Sequence, residues 1–301
     1  MSRSWRFELG RARATARIGY DYLRSLLRPP RGDTIPGDGP DVPTVVAGGG
    51  APVAASLPAT LRVLSWNIHR AYDARAVVGS LRSLVAERQP HLVLLQEVPV
   101  YPHGPWWQEP EVRAALAGLS VVYAAMHRVA RTTAYYSFRE SGLLIAVRAR
   151  PVSRRALRLP VASHPKLGRD HRVERIALGV VCQAGAQAPE IWNLHLENTA
   201  RPSGRARQAK AVADALGDGP LIVGGDLNTL FGPLEGTGAA LEAAGLARIP
   251  LRHGRWLSPA IDHVFVRGAA RASGEVLRLA GSDHLPVFAE VELAAPAPGA
   301  G

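Results

Sequence analysis

The 301-residue chain holds one cysteine, Cys182, two lysines, Lys166 and Lys210, and no run approaching the roughly 18 apolar residues of a spanning helix. One thiol excludes an intramolecular disulfide and any cysteine metal cluster. Cys182 ends the apolar run Ile176–Cys182, and a single thiol in such a run tilts the expected compartment toward a reducing one. The expectation is a cytoplasmic protein, at most peripheral to a membrane. Aromatic residues are sparse, at 6%. With 47% hydrophobic and 20% charged residues, the chain is neither collagenous nor disordered and can bury a sizeable core.

The scarcity of lysine leaves arginine to carry the net charge of +11, from 36 basic against 25 acidic residues. Arginine forks suit phosphates and anionic surfaces; a GC-rich genome would also favour arginine. Residues 1–31 carry eight arginines against Glu8 and Asp21. Trp5, Phe7, Ile18, Tyr20, Leu23 and Leu26 interleave with them until Pro29 and Pro30 stop a helix. This basic amphipathic segment suits an anionic membrane surface or a nucleic-acid backbone, and a solvated arm or a helix packed on the body is the plainer reading. Residues 32–58, rich in Gly, Pro, Ala and Val, read as a flexible linker, residues 59–295 as the folded domain, and residues 296–301 as a disordered tail. No obligate protein partner is implied.

From Leu61 onward short apolar runs end in polar residues: LRVLSWNIH, HLVLLQEV, SGLLIAVRA, RIALGVVC, EIWNLHLEN, PLIVGGDLN, IDHVFVRG and PVFAEVEL. They read as strands. Helical periodicity lies between them at Val77–Arg88 and Arg205–Leu216, so the body is α/β. A strand that stops at an ionisable or amide side chain sets that group at the sheet rim. This recurs at Asn67, Glu97, His195, Asp226 with Asn228, Asp262, and Asp283 with His284.

The set SWNIH, LQEV, NLHL, GGDLN, IDHVF and SDHLP, in this order, resembles the endonuclease/exonuclease/phosphatase family of DNase I-like metal-dependent phosphodiesterases and phosphatases. The resemblance covers Leu61 to Leu293. It implies a four-layer sandwich, two mainly antiparallel β-sheets packed face to face and flanked by helices; the alternation of strands and helices alone also allows a doubly wound sheet. It further implies hydrolysis of a phosphoester by in-line attack of water. Such a reaction needs a cation on the non-bridging oxygens, an oriented water and donors for the developing charge.

Glu97 is a hard oxygen ligand suited to Mg²⁺ or Mn²⁺, and no histidine or cysteine cluster at zinc spacing competes. By resemblance Asn67 and Asp283 stand with it at the metal. Asp226 orients or deprotonates the attacking water, Asn228 donates to a phosphoryl oxygen or holds Asp226, and Asn67 and His195 contact the phosphate. His284 carries positive charge against the transition state, backed by Asp262; on sequence alone the roles of Asp262 and Asp283 can be exchanged. Tyr123, Tyr135 and Tyr136 are candidates for the tyrosine that some members set against the phosphate. Asp262-His263 stands where many members have Asp-Tyr. Glu140-Ser141-Gly142 matches a glycine-bearing strand entry, and Arg205, Arg207 and Gln208 a helix start that packs on the active-site loops.

The implied substrate is a phosphoester, a lipid headgroup or other membrane-associated diester ahead of nucleic acid, with a non-catalytic protein as the rival class. A lipid headgroup is suggested by the basic arm and by Trp106-Trp107, which read as interfacial aromatics or as core. Nucleic acid is suggested by Arg128, Arg131, Arg139, Arg154, Arg155 and Arg158. A non-catalytic lipid- or nucleic-acid-binding protein would keep the sandwich and lose ligands.

Overall fold

The strands at the centre of the molecule are apolar on both faces because both faces are covered. In β2 (Thr60–Asn67), Leu61 and Val63 enter the layer between two sheets, while Leu64 and Trp66 enter a layer outside. In β3 (Leu92–Tyr101), Leu92 and Leu94 point inward and Val93 and Leu95 outward. The second sheet alternates in the same way: Ile176, Leu178 and Val180 of β10 (Ile176–Cys182) and Ile191 of β11 (Glu190–His195) face inward, and Trp192 and Leu194 face outward.

The computed structural model describes residues 45–48, 54–128, 138–163, 172–173, 175–198, 202–229, 236–252 and 261–295. The arm 1–31, the tail 296–301, Arg131, Tyr135 and Tyr136 lie outside the described residues.

The first sheet runs β1 (Val45–Gly48), β5 (Ser120–Arg128), β6 (Glu140–Val147), β3, β2, β17 (Val287–Leu293), β16 (Ala269–Val276) and β14 (Leu251–Arg252), with β4 (Gly104–Pro105) paired to β3. The second runs β13 (Ala247–Arg248), β15 (Asp262–Arg267), β12 (Leu221–Asp226), β11, β10 and β7 (Pro151–Arg158). β8 (Ala162–Ser163) and β9 (Arg172–Val173) pair separately. Pairing is antiparallel except for β2 with β3, β11 with β12, and β14 with β16.

Two helices, α1 (Ala74–Arg88) and α2 (Pro110–Ala115), cover the first sheet, and α3 (Pro202–Ala213) and α4 (Thr237–Ala243) cover the second. The result is the four-layer sandwich. Helix α1 begins where the Asp73 side chain accepts from the Ala76 N–H at 3.1 Å and ends at Gln89, a left-handed residue. Its start precedes the first apolar-periodic residue, because capping rather than periodicity sets a helix end.

One sequence expectation changes and one open choice closes. Residues 45–48, inside the stretch read as linker, form an edge strand on β5, and the Leu57 N–H donates to the Gln183 carbonyl at 2.7 Å with its side chain in the inter-sheet core. The surrounding Gly and Pro masked this short Val-Val segment. Trp106 and Trp107, read as exposed aromatics or core, are buried among α1, α2 and the outer face of the first sheet, with the Trp107 ring 4.2 Å from Tyr123. They are core.

Candidate active site

The inward-facing row of each central strand turns polar at one end of the sandwich. On β2 the inward series Leu61, Val63 continues through Ser65 to Asn67; on β11 Ile191 is followed by Asn193 and His195; on β12 Ile222 is followed by Gly224 and Asp226. Strand period therefore carries these groups to the same rim. Register completes the alignment: His195 is paired with Asp226 across the parallel ladder, and Asp226 with Asp262 across the antiparallel one. Three chemically active side chains thus stand on adjacent strands at one level.

Beneath them a buried polar layer ties the two sheets together. Gln96 Nε2 donates to Asn193 Oδ1 at 2.7 Å, and Asn193 Nδ2 donates to the carbonyls of Leu95 and Leu144 at 2.8 and 2.9 Å. These buried amide bonds, which leave only Gln96 Oε1 of the pair without a partner, fix the relative position of the sheets, and so of the groups above.

Asp226 is the hub. Its Oδ2 accepts from Asn67 Nδ2 at 2.9 Å and lies 3.5 Å from His195 Nε2 and 3.6 Å from His284 Nε2, while Oδ1 accepts from the Asn228 N–H at 2.9 Å. Burial raises the Asp226 carboxyl above the usual carboxylate range, with His284 opposing and Asp262 adding to the rise. Gly225, at φ +143°, precedes it, and a Cβ there would strike the backbone of Leu194 on β11. This is the close approach that the Gly-Gly pair permits. Asn228, in the left-handed region at φ +53°, donates from Nδ2 to the Leu196 carbonyl at 3.0 Å.

His284 sits in the turn before β17, which two bonds hold against β2, Trp66 Nε1 to the His284 carbonyl at 3.1 Å and Ser282 Oγ to the Asn67 carbonyl at 2.6 Å, while the His284 N–H donates to Ser282 Oγ at 3.1 Å within the turn. Its Nδ1 is 2.9 Å from Asp262 Oδ2. Burial alone would lower the pKa of the imidazole, but the carboxylates Asp262 and Asp226 outweigh it and hold the ring well above the ordinary histidine range. Of the two acids exchangeable by sequence, Asp262 is the one on His284; Asp283 Oδ1 faces His69 Nδ1 at 3.5 Å.

Glu97 lies at a bulge in β3, where pairing with β6 shifts register between Leu95 and Val98, and it takes φ +56°. A left-handed residue in a bulge re-aims its side chain. Burial pushes its carboxyl up, yet Arg70, His195, His69 and Arg175 together hold it well below the usual range, so it stays ionised. Its Oε2 is buried and accepts no hydrogen bond, with Arg70 Nε 3.0 Å away as an ion pair. Its other oxygen, Oε1, is 4.0 Å from His195 Nε2. A buried, ionised, under-coordinated carboxylate fits a hard divalent cation. The Asn67 Oδ1 already accepts from the His69 N–H at 3.0 Å. Among the described residues, Asp226, Asp262 and His284 also bring potential ligand atoms within 4.8 Å of one another, but the charged imidazole makes that group suited to proton sharing.

Several participants carried no motif. Arg175, buried, reaches both ring nitrogens of His195 at 3.3 Å and pairs through Nε with Glu197 Oε2 at 3.1 Å. Period two from His195 would have found Glu197; Arg175 gave only its place before a buried strand. The Glu197 N–H donates to Gln208 Oε1 at 2.9 Å, and Arg205 reaches the Glu197 carbonyl at 3.5 Å, so α3 packs on this loop. His263 Nε2 lies 2.8 Å from Thr229 Oγ1, beside Asn228 in sequence. Tyr123 is buried beneath Gly142, where a Cβ would collide with the Ala124 carbonyl and the Tyr123 hydroxyl, so this glycine serves packing.

The sequence pattern of the endonuclease/exonuclease/phosphatase family matches residues 64–284. Solved structures share the fold. An endonuclease/exonuclease/phosphatase from Beutenbergia cavernae is 22% identical, with 78% of this chain and 72% of that one covered and a TM-score of 0.62. The human Nocturnin catalytic domain with bound sulfate is 16% identical, covering 84% and 97%, at 0.58. D. rerio TDP2 complexed with a single-strand DNA product is 17% identical, covering 77% and 98%, at 0.53. A comparison with curated proteins finds no significant match.

Proposed function

The chain belongs to the endonuclease/exonuclease/phosphatase family, whose members hydrolyse phosphoester bonds, and we propose that it is a Mg²⁺- or Mn²⁺-dependent hydrolase that cleaves a phosphodiester by in-line attack of water. The observation that carries the reading is the convergence of Asn67, His195, His284 and Asn228 on the single carboxylate of Asp226.

Glu97 would hold the cation, with Asp283 and Asn67 nearest in role. When bound, a divalent ion neutralises the non-bridging oxygens of the phosphate. The remaining work falls to the side chains. Asp226, held at both oxygens, orients the water and draws its proton. His284, fixed by Asp262, presents a charged N–H to the developing negative charge, and His195, with Arg175 3.3 Å from both ring nitrogens, stands beside it as a second imidazole for the phosphate. Asn228 has one amide N–H on the Leu196 carbonyl and the other for a phosphoryl oxygen.

The substrate is the open choice within this reaction. Burial of Trp106 and Trp107 removes one of the two supports for a lipid headgroup, leaving the basic arm, which we propose docks the protein on anionic surface. Nucleic acid is the second reading. It is favoured by exposed Arg154 on the edge strand β7, whose far end lies beside the start of β10 at the site rim, and by the DNA product that D. rerio TDP2 carries; Arg155 is held by Glu190 at 2.6 Å, at the other end of β11 from His195.

A panel of plasmid DNA, abasic-site duplex, sphingomyelin, glycerophospholipids and inositol phosphates with Mg²⁺ or Mn²⁺ tests the choice. Turnover of one class, abolished by EDTA, supports the hydrolase and names its substrate. No turnover, together with binding to vesicles or DNA, favours the non-catalytic alternative.

A further inference from the structure

A left-handed turn aims two basic side chains at the carboxylates assigned to the metal. His69, Arg70 and Ala71 have φ of 48°, 55° and 50°, a run that L-residues adopt only against steric resistance. It persists because its surroundings hold it. The Ala71 N–H donates to the Ile68 carbonyl at 2.9 Å, the Tyr101 hydroxyl donates to the Arg70 carbonyl at 3.4 Å, and Ala71 is buried in the outer core. The outcome is Arg70 Nε at 3.0 Å from Glu97 Oε2 and His69 Nδ1 at 3.5 Å from Asp283 Oδ1.

We propose that Arg70 is a built-in counter-ion of Glu97 that competes with the divalent cation and, with cation and phosphate both bound, serves as a phosphate ligand, so that metal and phosphate bind cooperatively. The inference rests on Glu97 as the metal carboxylate. A guanidinium keeps its charge at every working pH, so it cannot yield its place by losing a proton. A metal ion entering beside Glu97 meets this fixed positive charge, which weakens its binding. A phosphate anion removes the conflict, since its oxygens neutralise both cations and match the planar fork of arginine. By reciprocity, phosphate then tightens the metal by the same factor as the metal tightens phosphate. Arg70 is 23% exposed in its side chain, has the Phe138 ring 5.3 Å from its guanidinium carbon and donates from Nη1 to the Tyr72 hydroxyl at 3.3 Å, an exposed bond that a phosphate oxygen would replace.

The test is Mn²⁺ binding to the full chain, followed by electron paramagnetic resonance of unbound Mn²⁺, with and without inorganic phosphate. Arg70→Asn removes the charge and puts at this φ a residue that tolerates it, and a thermal melt checks folding. The expected result is Mn²⁺ affinity about tenfold or more higher in Arg70→Asn than in the wild type without phosphate, loss of most of the phosphate enhancement seen in the wild type, and, in Arg70→Lys, Mn²⁺ binding as weak as in the wild type with a reduced phosphate enhancement. Equal Mn²⁺ affinity in wild type and Arg70→Asn overturns the proposal, as does phosphate enhancement that survives in the variant, or tight binding in Arg70→Lys. Mn²⁺ that binds both proteins equally overturns only this inference. Mn²⁺ that binds neither overturns the metal-dependent reading as well. Because the readout is binding, absence of turnover in a protein that behaves as expected would overturn the hydrolase and leave the role of Arg70.

Discussion

The Asp262 carboxylate meets Nδ1 of His284 at 2.9 Å, while Nε2 of the same ring points toward Asp226 Oδ2, 3.6 Å away. An imidazole held on one edge by an acid keeps a fixed orientation and carries its N–H on the other edge. Asp262→Asn preserves the shape and removes the charge that keeps the ring protonated. The expected outcome is a fall in kcat of about 10²- to 10⁴-fold, with KM changing much less, in steady-state kinetics on a soluble phosphodiester. Unchanged kcat would remove His284 from the chemistry.

Gly225 bears on the site through backbone alone. Its φ of +143° disfavours an L side chain, and a Cβ would press on the Leu194 backbone of the neighbouring strand, next to the His195–Asp226 pair. Gly225→Ala should lower stability by about 2–4 kcal/mol in urea unfolding and reduce activity with it. A variant as stable as wild type would show that β11 and β12 can separate there without penalty.

Most of this rim was legible because strand period is a local property. Runs such as IWNLH and LIVGGD show both the double-sided burial of a central strand and the inward residue where apolar gives way to polar, whereas the sandwich topology came from the family resemblance that the six motifs carry. What stayed hidden depended on contacts between distant segments. Arg175 acquires its meaning only where the β10 entry meets His195 and Glu197. Arg70 and His69 are aimed by a left-handed turn, and their spacing does not reveal that backbone state. Gln96 and Asn193 looked like ordinary polar interruptions, yet they bond to each other across the sheets at 2.7 Å. The tryptophan pair shows the converse, since a Pro- and Gly-rich sequence around Trp106 and Trp107 resembles an exposed loop although α1 and α2 close over it.

Cys182 is fully buried on the inward face of β10, and burial pushes its thiol up to about 12. A thiol that is neither exposed nor ionised does not react until the strand opens. Ellman's reagent should therefore detect almost no thiol in the native protein and one per chain in denaturant. Rapid stoichiometric labelling of the native protein would contradict the closed inter-sheet core.

His91 provides a pH signature of folding remote from the site. Burial, with Arg62 and Arg148 nearby, lowers its pKa from 6.5 to about 4, and its Nδ1 accepts from the Arg62 N–H at 3.0 Å. The unfolded chain thus takes up a proton near 6.5 while the folded one resists until about 4. Its contribution to stability is complete above the higher value and declines as pH falls between the two. His91→Gln should flatten the fall of Tm over that window. An identical Tm profile in the variant would mean that His91 titrates alike in both states.

The most direct test of the catalytic reading is hydrolysis of bis-p-nitrophenyl phosphate with Mg²⁺, Mn²⁺ or EDTA, beside Asp226→Asn. The account predicts turnover with metal, its loss in EDTA and recovery on adding metal back, and a fall of about 10³-fold in the variant. Turnover indifferent to EDTA, or equal in wild type and Asp226→Asn, would contradict it.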